Sequence, residues 1–270
     1  MQEQNDQLQT EYNDEQQEGF EEEEELSPFD RFVKVVTNPS LAFGGLLGGK
    51  GNMKVVWWGI LVTLVVSIAS VVMVSSRPEA IAQIKEQQMK QLDNAVEEGK
   101  MTQDQRDKAA EQIDAGMTPT VFLIFGVAGS VVMLFVLSIM CALIWLVIAK
   151  YLEPTAHEGL TFQAVWATVM VSVMILNIGT IVGIVLLQFT GALQTLSLAE
   201  LMKPKSAMLQ SALSVVSPFN IWWLFVSAVG IGSLARASRL KAGLIWGIVL
   251  VMGAVLMGMV ANIFTGMGAG

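Results

Sequence analysis

Five long stretches of this sequence contain no Asp, Glu, Lys, Arg or His. They are Val55–Ser76, Val121–Ala149, Ala164–Leu187, Pro218–Ala235 and Ala242–Ile263. A helix rises about 1.5 Å per residue, so about 20 apolar residues cross the roughly 30 Å hydrocarbon layer of a bilayer. In lipid, a helix satisfies its own backbone polar groups. The sequence therefore predicts an all-α, polytopic membrane protein with five transmembrane helices.

Groups suited to catalysis or metal binding are scarce. The one cysteine, Cys141, lies in the second stretch, where a thiol acts as a small apolar filler. The one histidine, His157, lies between Glu153 and Glu158 in a short polar loop, whereas a catalytic zinc ion needs three protein ligands in fixed geometry. Proton- and ion-coupled pumps usually need ionisable groups at membrane depth, and the five stretches contain none. The sequence predicts no enzymatic activity, no metal site and no cofactor.

The first 30 residues contain no Lys or Arg but twelve acids, whereas the rest of the chain carries the other 12 acids and all 16 bases. This block is rich in Gln and Glu and poor in aliphatic residues, so it buries too little apolar surface to offset the entropy of folding. We interpret residues 1–26 as a disordered acidic tail, with a solubilising role favoured over docking to a basic partner. No basic stripe is present to neutralise phosphates, which argues against a nucleic-acid partner.

Residues 27–54 have the pattern of an interfacial segment. Ser27 and Pro28 begin a predicted helix as N-cap and first helical residue, and Asn38-Pro39 ends it. Its apolar face and its basic side chains lie on different sides: Phe29, Phe32, Val33 and Val36 on one, Arg31 and Lys34 on the other. Two arrangements fit this pattern equally. Either the bases point towards phosphate headgroups while the apolar face enters the membrane, or that face packs against the protein's own spans.

A polar segment, residues 77–118, separates the first two apolar stretches. Apolar residues recur at helical spacing after Pro78, Gly99 supplies a stop, and Thr102-x-x-Gln105 has the form of a capping box for a second helix. The pattern predicts an extramembrane helical hairpin with a net charge of −3. A solvated cap over the loop ends is the favoured interpretation, and a partner-docking arm is the alternative.

Small residues recur four positions apart in the later stretches, at Gly179 and Gly183 and at Gly243 and Gly247. Such spacing lets helices approach closely, and a buried amide such as Asn177 can form a hydrogen bond across the contact. These residues are candidates for helix packing. Packing within the chain is the simpler interpretation, and self-association is the alternative.

Three short motifs resemble those of bacterial Yip1-domain membrane proteins. They are Phe29–Pro39 followed by Ala42-Phe43, Gly159-Leu160-Thr161-Phe162, and Ser217–Trp222 followed by Gly230 and Gly232. The motif positions of most interest are Asn38, Pro39, Pro218, Trp222 and Gly230. The resemblance covers about residues 27–263 and implies five spans and a cytoplasmic N-terminus. Eukaryotic relatives are associated with Rab GTPases and vesicle traffic, whereas bacterial members have no common activity, so the resemblance implies a fold rather than a task.

The charges beside the spans favour the same orientation. With the N-terminus in the cytoplasm, each side of the membrane receives eight bases. The bases on the cytoplasmic side are concentrated in short segments beside the spans, notably Arg236–Lys241. In the positive-inside rule, such bases determine orientation more strongly than bases in a long loop. The seven tryptophans lie mostly towards the ends of the stretches, where indole rings prefer the headgroup level. Residues 55–263 then form a five-span domain, and 264–270 form a short C-terminal tail.

These observations predict a non-enzymatic protein of the bacterial inner membrane. It would act as a scaffold, a membrane-organising protein or an accessory subunit of a membrane complex. Its expected partners are the lipid bilayer and another membrane protein, such as a transporter complex, or a second copy of itself. The alternative is a transporter, or an accessory subunit of one, in which Asn177 and Gln188 line a path for a neutral or amphipathic substrate.

Overall fold

The computed structural model describes much of the chain between Leu26 and Val251. The described residues are 26–47, 49, 52–97, 99–152, 160–191, 196–202, 207–214, 216–238, 240–248 and 251. Most of the predicted acidic tail, the loop with His157, the end of the fifth stretch and the C-terminal tail lie outside them. Within these ranges the chain is helical and contains no strand.

Ten helices are delimited in the described residues, and a further helical segment, 240–248, follows them. The helices are α1 (Pro28–Thr37), α2 (Pro39–Ala42), α3 (Asn52–Ser75), α4 (Pro78–Glu97), α5 (Gln103–Gly116), α6 (Pro119–Leu152), α7 (Phe162–Thr190), α8 (Leu198–Met202), α9 (Ala207–Ser214) and α10 (Pro218–Leu234).

Three helices in the described residues, α3, α6 and α7, are long and apolar enough to cross a membrane. Helix α10 is also apolar, but its 17 residues extend only about 25 Å. Much of the fifth apolar stretch lies outside the described residues. The described residues are therefore all-helical and contain three candidate spans, whereas the count of five spans stays a prediction.

Side-chain caps fix where several helices begin. The Oγ atoms of Ser27 and Ser217 accept hydrogen bonds from the backbone N–H groups three residues later, at 3.2 and 3.1 Å. Thr102 and Gln105 form the reciprocal capping box at the start of α5. The starts predicted at Ser27 and Thr102 are confirmed. Thr161 caps α7 in the same way, by accepting a bond of 3.2 Å from Ala164, and this cap was not predicted.

Helix α7 lies at the centre of the bundle and packs against α3, α6 and α10. Small and β-branched residues dominate its first half, from Ala164 to Ile175, and most of them are buried. The buried hydroxyls of Thr168 and Ser172 donate to the carbonyls four residues earlier, each at 2.9 Å. Because these polar groups are satisfied within α7, they enter the core without unpaired donors.

Helices α4 and α5 form a polar hairpin between the first two spans. Lys85 pairs with Asp114 at 2.6 Å and Arg106 with Asp93 at 2.9 Å, so two ion pairs join the helices. The hydrogen bond to Asp93 raises the pKa of Arg106. The root of the hairpin is apolar: Ala80 is buried in a cluster with Val74 of α3 and Leu187 of α7. The hairpin is therefore packed against α3 and α7 at its base.

Candidate functional site

Residues from separate motifs meet at one joint, which links the turn after α2 to α7 and α10. A Cβ atom built on Gly230 would lie 2.6 Å from Cγ2 of Thr168 and 3.0 Å from the ring of Phe43. Real Cβ atoms do not approach so closely, so only glycine allows this contact without a shift. The Phe43 ring is 2% exposed and belongs to the main core. We call Phe43, Thr168 and Gly230 the glycine joint.

Arg31 holds the same turn from the other side. Its side chain is 3% exposed, and one terminal guanidinium nitrogen donates to the carbonyls of Ala42 at 2.9 Å and Gly44 at 2.6 Å. Gly45 has a φ of +68°, a backbone conformation that glycine adopts without strain. Asn52, at the start of α3, then donates to the Leu46 carbonyl at 2.8 Å. The described turn from Ala42 to Leu47 is thus joined by hydrogen bonds to α1 and α3.

The burial of Arg31 corrects one sequence expectation. In one of the two arrangements that fitted the sequence equally, Arg31 and Lys34 point towards headgroups, but Arg31 points into the protein because the carbonyls of the following turn need donors. Of the predicted apolar face, Phe29 is 70% exposed, Val33 and Val36 are also exposed, and Phe32 packs against the core. The face is divided between the surface and the bundle. Contact of its exposed part with lipid remains a prediction.

A polar bond and a close glycine contact lie farther along α7. Asn177 is buried and donates to the hydroxyl of Thr63 on α3 at 2.9 Å. A Cβ built on Gly179 would lie 2.8 Å from the ring of Phe219, at the start of α10. Asn177 therefore links α7 to α3, and Gly179 allows α10 to approach closely.

The remaining packing candidates differ in their surroundings. A Cβ on Gly243 would be 3.3 Å from that of Ala228 on α10, whereas one on Gly247 would meet no described atom within 4 Å. Gly183 lines a cleft instead. Four-residue spacing therefore marks a tight contact at only some of these glycines.

The cleft beside Gly183 has a volume of about 420 Å³ and lies between α3, α7 and the start of α10. Ser70, Thr180 and Asn220 are among its polar lining residues. Asn177 does not line it. Gln188, the other group assigned to a transport path, accepts a hydrogen bond from Arg77. Both side chains on which the transporter alternative depends are therefore engaged within the protein.

A tryptophan cluster is the feature that sequence reasoning missed most completely. The rings of Trp145 and Trp223 contact Trp246 edge-on, with centroids 5.0 and 5.6 Å away. Trp145 and Trp246 are almost fully buried within the bundle. The cluster attaches segment 240–248 to α6 and α10, and such aromatic pairs contribute about 0.5–1.5 kcal/mol beyond area burial. In the sequence, Trp145 and Trp246 each lie four residues inside their stretches, but so does the partly buried Trp222, so position alone did not indicate which rings are buried.

The bond between Asn177 and Thr63 gives a testable coupling. We expect Asn177→Leu and Thr63→Val each to destabilise the protein, with a double-mutant coupling of about 0.6 kcal/mol, since this is typical of hydrogen bonds between membrane helices. Unfolding in mixed micelles titrated with SDS measures each free energy. Thr190→Val is the control partner, because the Thr190 hydroxyl donates within its own helix to Leu186, and it should be additive with Asn177→Leu. Additivity in the Thr63 cycle would contradict an energetic role for the bond.

The chemistry of the described residues is that of packing and anchoring. In the ranges that the structure describes, no three His, Cys, Asp or Glu residues are close enough to hold a metal ion. Asn38 and Pro39 form the junction of α1 and α2, Pro218 begins α10, and Trp222 packs against the core. The motif residues thus shape one end of the bundle and the start of α10.

Comparison with known proteins agrees with this architecture. No curated protein matches the chain, and no solved structure matches it. The family model of the Yip1 domain matches residues 33–261, which include the glycine joint, the three candidate spans and the hairpin. The chain therefore belongs to the Yip1 domain family.

Proposed function

We propose that this protein is a non-enzymatic scaffold or accessory subunit of a membrane complex, and that the hairpin of α4 and α5 docks a partner with a basic surface. The proposal places it in the bacterial cytoplasmic membrane, with five spans and a cytoplasmic N-terminus. The hairpin then lies on the opposite side from the N-terminus. The partner is an extramembrane region of another protein of that membrane.

The observation that carries the proposal is that α5 packs on α4 yet buries none of its residues. A polar helix of 14 residues is marginal in isolation, and exposed ion pairs contribute only about 0–1 kcal/mol each. The hairpin is therefore a long polar arm with little core of its own. Its apolar root at Ala80 packs against Val74 of α3 and Leu187 of α7.

Charge indicates the kind of partner. The segment 77–118 carries a net charge of −3, and Asp104, Glu111 and Asp114 are exposed on α5. An acidic surface favours approach by a basic one, chiefly through the association rate and its salt dependence. Arg106 is already paired with Asp93 and Asp107, and Lys85 with Asp114, so these three acids are partly neutralised. Asp104 and Glu111 are the exposed acids of α5 outside these ion pairs.

Site-specific photocrosslinking in native membranes tests the docking. A photoreactive residue at Gln112, which is exposed on α5, is expected to give an adduct of one reproducible mass. Reversing two neighbouring charges, with Asp104→Lys and Glu111→Lys, should lower its yield about tenfold, because the acidic surface is lost. High salt should have the same effect.

The matched control is Lys108→Gln, which changes an exposed residue of the same helix but leaves the arm more acidic. Its adduct yield should be unchanged or higher. A yield that falls equally in Lys108→Gln and in the charge-reversed protein would mean that α5 is merely perturbed, and would refute docking by charge. Absence of any adduct from Gln112 would refute docking at α5.

A further inference from the structure

The end of α10 has an unusual residue at a position that favours glycine. Ala237 N–H donates to the Gly232 carbonyl at 3.0 Å, and Arg236 N–H donates to that of Ser233 at 3.4 Å. These two bonds form a Schellman motif, in which the residue after the helix adopts the left-handed conformation. Here that residue is Arg236, with a φ of +51°. An L side chain at this position strains the backbone, and glycine would relieve the strain.

When a residue other than glycine has a strained backbone, its side chain is expected to have a role that glycine cannot fill. Arg236 is exposed, and its backbone bonds would form equally well with glycine. The guanidinium is therefore what distinguishes arginine from the residue that this turn favours.

A concave site lies beside this side chain. It has a volume of about 260 Å³ and is lined by Ser40 of α2, by Val229, Gly232 and Ser233 of α10, and by Arg236 and Ala237. Two serines and one arginine thus line a single small cavity. The side chains of all three residues can donate hydrogen bonds, and a guanidinium matches the geometry of phosphate oxygens. The last carbonyls of α10, from Ile231 to Ser233, already accept backbone N–H groups, so they are less available to repel an anion.

The site lies at the end of an apolar helix, on the same end of the bundle as α1 and α2. Helix α10 has an apolar body between polar turns, and this arrangement is typical of a helix whose ends lie near lipid headgroups. The sequence places two more bases, Arg239 and Lys241, immediately after Arg236. This positive segment raises the local concentration of anionic lipid.

We propose that Ser40, Ser233 and Arg236 bind the headgroup phosphate of an anionic phospholipid. Arg236 donates to two phosphate oxygens, and the two serine hydroxyls donate to the phosphate from opposite walls. The left-handed turn holds the guanidinium over the cavity. The binding fixes α2 to α10 at the membrane surface and does not depend on what the hairpin docks.

Lipid binding to the full-length protein in detergent tests the site, with phosphatidylglycerol and phosphatidylcholine as probes and native mass spectrometry as the readout. The wild type should bind phosphatidylglycerol selectively. Arg236→Gln should weaken this binding about tenfold, because a charge-assisted bidentate contact is lost. The matched control is Lys241→Gln, which removes the same charge from an exposed residue that does not line the cavity, and it should weaken binding less than about threefold.

Arg236→Gly separates binding from folding. It relieves the left-handed strain, so the protein should unfold at the same temperature as the wild type or higher, while phosphatidylglycerol binding falls as in Arg236→Gln. Equal losses in Arg236→Gln and Lys241→Gln would overturn the site in favour of diffuse attraction. Absence of selectivity over phosphatidylcholine would also overturn it. Competition by free glycerol phosphate at lipid-like concentrations, with the same dependence on Arg236, would overturn the lipid as the occupant.

Discussion

Replacing Gly230 with alanine is expected to destabilise the protein by about 1–3 kcal/mol, the usual effect of adding a methyl group to a well-packed core. The added Cβ would meet Cγ2 of Thr168 and the ring of Phe43. Thr168 is held in place by its hydrogen bond to Ala164, and Phe43 is enclosed by the core, so neither neighbour moves easily. The measurement is the free energy of unfolding in mixed micelles titrated with SDS.

The control for this substitution is Gly129→Ala in α6. A Cβ there would meet no described atom within 4 Å, and alanine favours the helix more than glycine does. We expect no loss of stability, or a small gain. If Gly230→Ala were as stable as Gly129→Ala, the glycine joint would have no energetic role.

The sequence predicted where helices lie along the chain far better than it predicted which helices pack against one another. Caps at Ser27, Thr102 and Ser217 are local devices, in which a side chain bonds to a backbone three residues away, so they can be read from sequence. Likewise, a long uncharged stretch determines a span by its own composition. Which faces of two spans pack together depends on residues that are far apart in the chain. These helices are apolar on all sides, so their hydropathy does not indicate which side faces another helix.

The glycines illustrate this limit. The pattern of four-residue spacing indicated Gly179, which does lie against Phe219, and Gly247, which has no close described neighbour. It missed Gly59, where a Cβ would lie 2.7 Å from that of Met170. A single glycine inside an apolar span is the signal for such a contact, but the sequence does not reveal which helix it approaches.

Arg31 shows why the candidate site was only partly predictable. Helical periodicity placed it on the polar side of α1, and a base on an amphipathic helix usually faces water or headgroups. The carbonyls of Ala42 and Gly44 reverse that orientation, because an arginine can reach both. Those carbonyls become acceptors only once the turn after α2 has formed, and hydropathy contains no information about that turn.

Substitution of Arg31 by methionine is expected to destabilise the protein by about 2–4 kcal/mol, since each hydrogen bond to a charged group contributes about 1.5–3 kcal/mol and removal of a desolvated charge offsets part of the loss. Methionine retains the unbranched stem, so the loss reports on the hydrogen bonds to Ala42 and Gly44 rather than on packing. Arg31→Lys should give an intermediate loss, because an ammonium lacks the planar geometry of the guanidinium.

Lys34→Met, a change to a half-exposed base of the same helix, is the control and should shift stability by less than about 0.5 kcal/mol. SDS-titrated unfolding of the four proteins distinguishes the outcomes: equal stability of Arg31→Met and Lys34→Met would show that Arg31 does not stabilise the turn.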